Sequence, residues 1–398
     1  MAKEVVRKGY LEELRLFKDK KDIVKVITGV RRCGKSTVMR QFIEELRGAG
    51  EDGIVSVDFE DFSFDFIKGH EDLNRYLKDN IDPQKRTYVF LDEIQRVEGW
   101  ERSVNGLLAS LDVDVYISGS NAHVLSSELS TFLTGRYVQI KMLPLSFSEY
   151  CEMHSDKSGD PHELFALYTR YGAFPHIDPF ADDRATRALL SDLYSAIVYN
   201  DILSREEVRG QPGLERLTRF LMINIGNPVS ANSIAKSMGG MAYETVDRYL
   251  RLLEGAHLFY RADRFDLKSS ALAPTPKYYS VDTGLRNAPM GYVREDLGRL
   301  LENIVYLELL RRGYGVRVGR YGDKEIDFAA VNRRGEPEYF QVALSTLSEG
   351  VAAREHLPLR ALNNSFPKTV ISMDERLPSV TRDGIRHVHI VDWLLMGG

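Results

Sequence analysis

The chain has 398 residues, 43% of them hydrophobic, 28% charged and 10% aromatic, a length that suggests two or three domains and a composition that excludes wholesale disorder. A formal net charge of −5 and two cysteines exclude a disulfide framework, fit a reducing, cytoplasmic compartment and offer no general attraction for nucleic acid. No run approaches the roughly 20 apolar residues of a membrane-spanning helix, so no membrane contact is expected, and the charged start Met1–Lys8 lacks the apolar centre of a signal peptide.

Up to Pro144, short apolar runs alternate with helical spacing. Strands are predicted at Ile23–Thr28, Ile54–Phe59, Tyr88–Leu91 and Val113–Ser118, and helices at Val38–Leu46 and Trp100–Leu111. That alternation predicts an α/β fold, a parallel sheet with helices on both faces. Residues from Pro144 to about Arg205 read as mostly helical, and Leu214–Tyr260 as a compact set of short helices. After a loop at Ser269–Pro276 the chain runs strand, long helix, strand, strand. There is no internal repeat.

The first strand leads into Gly29-Val30-Arg31-Arg32-Cys33-Gly34-Lys35-Ser36-Thr37, and a helix follows. Gly-x-x-x-x-Gly-Lys-Ser in that setting is the phosphate-binding loop. Its glycines let backbone N–H groups close on phosphates, and the next helix offers its positive end. Lys35 is expected to reach the β- and γ-phosphates of ATP, and Ser36 to ligate Mg2+. Residues 29–37 are the nucleotide-binding candidates.

Tyr88-Val89-Phe90-Leu91 delivers Asp92 and Glu93 to a strand's C-terminal end, where open α/β sheets bind ligands. Asp92 is assigned to the Mg2+ shell and Glu93 to polarising the attacking water. The Val113–Ser118 strand is expected between those two, with Asn121, or Ser120, contacting the water or the γ-phosphate; a simple turn role for Gly119-Ser120-Asn121 is the alternative. Arg136 in Leu133-Thr134-Gly135-Arg136 is a candidate for stabilising transferred charge, within the chain or across a subunit boundary, with a surface arginine as the alternative. Cys33, at a helix N-terminus, is expected to have a depressed pKa and some reactivity without nucleotide, or simply to fit as a small residue.

These residues carry a resemblance. Gly-Val-Arg-Arg-Cys-Gly-Lys-Ser, Leu-Asp-Glu-Ile-Gln, Ser-Gly-Ser-Asn and Leu-Thr-Gly-Arg resemble the AAA+ ATPases, and a prokaryotic subgroup of them in particular. Leu143–Phe147, Tyr171–Pro175 and Gly298–Asn303 are similar to that subgroup too. The resemblance implies ATP and Mg2+ as cofactors, catalysis by Lys35, Glu93, Asn121 and Arg136, and a homo-oligomer by family habit, although no interface is legible in the residues.

Pro228–Gly239 and Tyr243–Leu253 read as two short helices followed by a strand at Leu258–Arg261, which resembles a winged helix. Residues 213–268 carry a net charge of +2, a weak footprint for DNA. Further on, Glu302 on the helix Leu297–Gly313, Asp327 on a strand and Gln341 on the next strand resemble the PD-(D/E)XK nucleases in order. Ala343 stands where that pattern needs lysine. Lys324, the nearest lysine, is expected on the strand face opposite Asp327. The site is therefore read as degenerate, and no nuclease activity is expected of it.

The domains expected are 1–205, an ATPase domain with a helical lid; 206–270, a winged helix; and 271–398, a nuclease-like domain. The expected function is ATP binding and hydrolysis coupled to remodelling or switching a DNA or protein partner. The alternatives are an ATP-gated DNA endonuclease and a nucleotide sensor that does not hydrolyse.

Overall fold

A computed structural model describes residues 3–120, 133, 135–203, 211–269, 271–375, 380–381 and 383–396. The chain forms two compact units, Glu4–Pro144 with Gly255–His257, and Met1–Lys3 with Leu145–Glu254 and Leu258–Gly398.

The first unit holds helix α1 (Lys8–Phe17), strand β1 (Val24–Gly29), helix α2 (Lys35–Gly48), β2 (Ile54–Asp58), α3 (His70–Asn80), β3 (Thr87–Asp92), α4 (Trp100–Ser110), β4 (Val113–Gly119) and β5 (Tyr137–Met142). The strands form a sheet in the order β2-β3-β4-β1-β5, every pair parallel. β4 lies between β1 and β3, as expected. β1, β3 and β4 are buried along their whole length, which is why they read as continuous apolar runs rather than alternating ones. Alternation then sends successive side chains to opposite faces. Val24, Val26, Val89, Leu91, Val115 and Ile117 pack with Leu73, Leu77, Trp100 and Val104 of α3 and α4. On the other face Phe90 stacks on Tyr116 at 4.7 Å between centroids, with Phe42 of α2 against both. The edge strand β5 and the helices α1 and α3 had no distinct sequence signal.

The second unit begins with α5 (Phe147–Met153), α6 (Pro161–Tyr171), α7 (Asp183–Ala196), α8 (Gln211–Ile223), α9 (Ala231–Ser237) and α10 (Tyr243–Gly255). The hairpin β6 (Phe259–Asp266) and β7 (Ala271–Ser280) follows, then α11 (Thr283–Met290), α12 (Leu297–Arg311), β8 (Gly315–Tyr321), β9 (Lys324–Val331), β10 (Pro337–Val342), α13 (Glu349–Ala361), β11 (Lys368–Ser372), β12 (Arg386–His389) and α14 (Ile390–Leu395). The sheet is mixed, in the order β12-β11-β10-β9-β8-β6-β7. Tyr306 of α12 stacks on Tyr279 at 4.2 Å, and Leu359 of α13 packs with Ile326, Tyr339 and Val370.

The compact units divide at Pro144–Leu145, whereas the sequence suggested boundaries after residues 205 and 270. The hairpin β6–β7 crosses position 270 and pairs with β8 through β6. The strand expected to open a wing is thus part of the C-terminal sheet.

Candidate active site

β1 ends at Gly29, and α2 begins at Lys35. The loop between them turns through Arg32, at φ 63, and Gly34, at φ 106, the left-handed region that glycine enters without strain. Such a turn arrays backbone N–H groups into a concavity suited to anions, at the positive end of α2. Gly29 is required for a second reason. A Cβ there would collide with the Met142 carbonyl of β5 and with Cys33 Sγ. The loop is also fastened from below. The buried Arg7 donates from Nη1 to the Cys33 carbonyl at 3.1 Å and from Nη2 to the Leu143 carbonyl at 3.0 Å.

Lys35 points back to the strand ends. Its Nζ donates to the Gly29 carbonyl at 3.3 Å and pairs with Glu93 Oε1 at 3.2 Å. Burial works against the Lys35 charge, but Glu93 and Asp92 more than offset it and raise its pKa. Glu93 follows β3 directly and adopts φ 53, a sharp turn that swings its side chain toward Lys35. Burial alone would raise its carboxyl; the Lys35 ammonium, the Gln95 amide and Arg31 hold it below its ordinary value. Asp92 behaves oppositely. Burial raises its carboxyl, against hydrogen bonds from Ser118 and Ser36, and Glu93 and Asp58 add to the rise. A buried carboxylate beside others, bonded to a serine hydroxyl, is a hard-oxygen donor set that a divalent cation stabilises. Ser36 and Asp92 therefore fit Mg2+.

The structure brings the loop residues Gly29–Thr37 together with Asp92 and Glu93 across β1, β4 and β3. Asn121 lies outside the described residues. Ser120 is buried, and no hydrogen-bond partner of its Oγ is found among the described residues. Two expectations are corrected. Arg136 immediately precedes β5, whose Tyr137 pairs with Val24 at the start of β1. The phosphate loop leaves the other end of that six-residue strand, roughly 16 Å away at about 3.3 Å per residue. A role for Arg136 at the site of its own chain is excluded by that register. Cys33 is fully buried, and burial pushes its thiol up despite Lys35 and Arg7. Desolvation outweighs the helix end.

Sequence reasoning missed three contributors. Ser118 of β4 donates to Asp92 Oδ1, and its Oγ accepts from the Glu93 N–H at 3.1 Å. Gln95 donates from Nε2 to Glu93 Oε2. Arg7 lies outside every motif. Only the β3–β4 pairing exposes Ser118's role, and Gln95 sat unremarked inside Leu-Asp-Glu-Ile-Gln.

In the second unit, Asp327 and Gln341 meet on neighbouring strands, with the Asp327 N–H 3.4 Å from Gln341 Oε1 and the Val342 N–H donating to Asp327 Oδ2 at 2.8 Å. Gln341 Nε2 donates to Glu355 at 2.8 Å. Glu302 joins them through Lys277 rather than by a direct hydrogen bond. It accepts from Lys277 Nζ at 2.9 Å and Tyr279 Oη at 2.7 Å. Lys277 also pairs with Glu325 at 2.8 Å, and these carboxylates with Asp327 raise its pKa against burial. Asp327 is raised well above the carboxylate range by burial and by Glu302. Lys324 was expected on the face opposite Asp327, yet both line one cavity of about 450 Å3 together with Glu325, Gln341 and Glu355.

Residues 21–151 match the family described as an AAA domain, and residues 162–296 match a domain of unknown function. An uncharacterized protein of Haemophilus influenzae is 37% identical over 406 residues, covering 99% of this chain and 100% of that one. An uncharacterized protein of Methanocaldococcus jannaschii is 29% identical over 315 residues, covering 76% of this chain and 69% of the other. Among solved structures, the Aeropyrum pernix Orc1 protein in complex with DNA aligns over 72% of this chain and 93% of its own, at 10% identity and a TM-score of 0.32.

Proposed function

We propose, from the premise that the chain belongs to the P-loop AAA-type ATPase family, that it hydrolyses the ATP it binds and uses the turnover to switch a partner. The observation that carries the reading is the placement of Lys35 and Glu93 in contact at 3.2 Å, with Asp92 beside them, at the ends of the central strands. Lys35 is a charged donor for the β- and γ-phosphates, released from Glu93 as the triphosphate enters. Glu93 is then the carboxylate that takes the attacking water's proton. Mg2+, held by Ser36 and Asp92, would neutralise charge on the phosphate oxygens.

The partner we infer is a protein rather than DNA. On α10, the helix a winged helix would present, Arg251 is paired with Asp247 at 2.8 Å, which leaves the exposed Arg248 as that helix's other basic side chain, a sparse positive charge for phosphates. The C-terminal region is read as a binding or assembly surface without phosphodiesterase chemistry. Lys277 already supplies the positive charge to Glu302 and Glu325. Among the described residues no group of three or more His, Cys, Asp or Glu is arranged to hold a metal ion. No helix among them is long and apolar enough to cross a membrane.

The test compares wild type with Glu93→Gln for MgATP affinity and phosphate release. The variant keeps binding and loses hydrolysis by about 10²- to 10⁴-fold, the usual contribution of a positioned base. Hydrolysis by Glu93→Gln at the wild-type rate would place the catalytic carboxylate elsewhere.

A further inference from the structure

Glu93 has both carboxylate oxygens engaged. Oε1 is paired with Lys35 at 3.2 Å, and Oε2 accepts from Gln95 Nε2. The Lys35 contact is provisional, because that lysine is the group expected to turn to the phosphates. The Gln95 contact involves no group with such a second task.

Gln95 sits in the single 3-10 turn Ile94–Arg96 that follows Glu93. The turn is anchored by the buried Ile94, which packs with Val89, Leu91 and Val97. The left-handed backbone at Glu93, φ 53, folds the turn back so that the side chains of residues 93 and 95 meet. The amide orientation is fixed by chemistry. A carboxylate only accepts, so the NH2 group must face Glu93 and the carbonyl must face away. That carbonyl oxygen, Gln95 Oε1, is buried and makes no hydrogen bond among the described residues. A buried acceptor left open beside a catalytic carboxylate is costly, and such sites are characteristically filled by water or ligand.

We propose that Gln95 orients the hydrolytic water: its Nε2–H holds the Glu93 carboxylate, and its Oε1 accepts one hydrogen of the water that attacks the γ-phosphorus. This rests on the hydrolytic reading above. When Lys35 turns to the phosphates, Glu93 Oε1 is free to accept the other hydrogen. Two acceptors then fix the water, and its oxygen lone pair is left to form the new bond. The water oxygen bonds to the γ-phosphorus. The bond from that phosphorus to the bridging oxygen breaks, and its electron pair leaves with ADP. The water's proton passes to Glu93 and from there to the phosphate. A side chain that can both donate and accept is required for this task, which neither Met nor Glu reproduces.

The experiment measures kcat, MgATP affinity and affinity for MgADP–aluminium fluoride, which mimics the transferring phosphoryl group with its in-line water. The proteins are wild type, Gln95→Met and Gln95→Glu. Both variants are expected to lose kcat at least tenfold and to bind MgADP–aluminium fluoride at least tenfold more weakly, with MgATP affinity within twofold of wild type. A residue that merely supported the fold would lower all three together. Retained MgATP affinity certifies that each variant is folded, and the near-isosteric Gln95→Glu stands in if Gln95→Met is not. Wild-type hydrolysis with an unchanged kcat in either folded variant overturns the role of Gln95 and leaves the ATPase reading intact. Absence of hydrolysis in wild type overturns both.

Discussion

Each unit buries one lysine among carboxylates, and the two clusters differ in what is left open. Lys35 and Lys277 have side chains equally hidden, at 3% exposure. Around Lys277 each carboxylate has a protein partner. Glu302 takes Lys277 and Tyr279, Glu325 takes Lys277 and Arg264, and Asp327 takes the Val342 N–H. Around Lys35 the commitments are incomplete. Lys35 leans on one carboxylate and one carbonyl, and the buried Gln95 Oε1 and Ser120 Oγ have no hydrogen-bond partner among the described residues. A buried cluster with its needs met stabilises a fold, and one with needs unmet awaits a ligand. That contrast separates the two lysines more sharply than burial or charge count does.

The largest effect that would break the comparison is at Lys277. Lys277→Met keeps much of the apolar stem and strands Glu302, Glu325 and Asp327 together. Removing one partner of a buried charge cluster costs about 3–5 kcal/mol. Urea unfolding should show that loss, and adding Glu302→Gln should recover part of it. A Lys277→Met protein as stable as wild type would mean the cluster is open after all.

A smaller effect tests whether the second unit tolerates buried ionisation elsewhere. Burial pushes the Asp282 carboxyl up to about 6, although it accepts hydrogen bonds from the Ala173 and Leu285 N–H groups. A raised acid pKa means the folded protein holds a proton that the unfolded chain has released. The Asp282 contribution to stability is thus full below about pH 4 and is lost as pH rises through 6, by up to about 3 kcal/mol. Unfolding free energy measured from pH 4 to 7 should fall less steeply in Asp282→Asn than in wild type. Parallel profiles would refute the assignment.

The smallest is Arg7, which fastens the phosphate loop. Arg7→Met deletes the donors to the buried Cys33 and Leu143 carbonyls, at about 2 kcal/mol. It should lower the melting temperature of the nucleotide-free protein, and MgATP should recover part of the loss. An unchanged melting temperature would show the loop is held without it.

The sequence made the first unit's centre legible because its signals are local. Gly29–Thr37 and Asp92–Glu93 each sit on one short strand-to-turn segment, and buried parallel strands announce themselves as apolar runs. What remained hidden depends on register. Ser118 touches Asp92 only because β4 pairs beside β3. Arg136 reads like an active-site arginine until the β1–β5 pairing puts it at the wrong end of the sheet. At Cys33 the reading as a small residue that fits stands and the reactive alternative does not, because a helix N-terminus is visible in a sequence and desolvation is not. Lys277 belongs to the hairpin strand β7, far along the chain from Glu302 and Asp327, so pattern order pointed to the vacant position at Ala343. Gln95 was visible but unweighted, since its value lies in bonding to Glu93 two residues away.

The most direct measurement is the equilibrium affinity of the full chain for MgATP in wild type, Lys35→Ala and Lys277→Met, with the nucleotide-free melting temperature recorded alongside. Lys35→Ala should lose about 1.5–3 kcal/mol of binding, roughly 10- to 150-fold, by deleting a charge-assisted phosphate contact. Lys277→Met should keep affinity and lose stability. Lys35→Ala protein that binds MgATP within twofold of wild type would contradict the account.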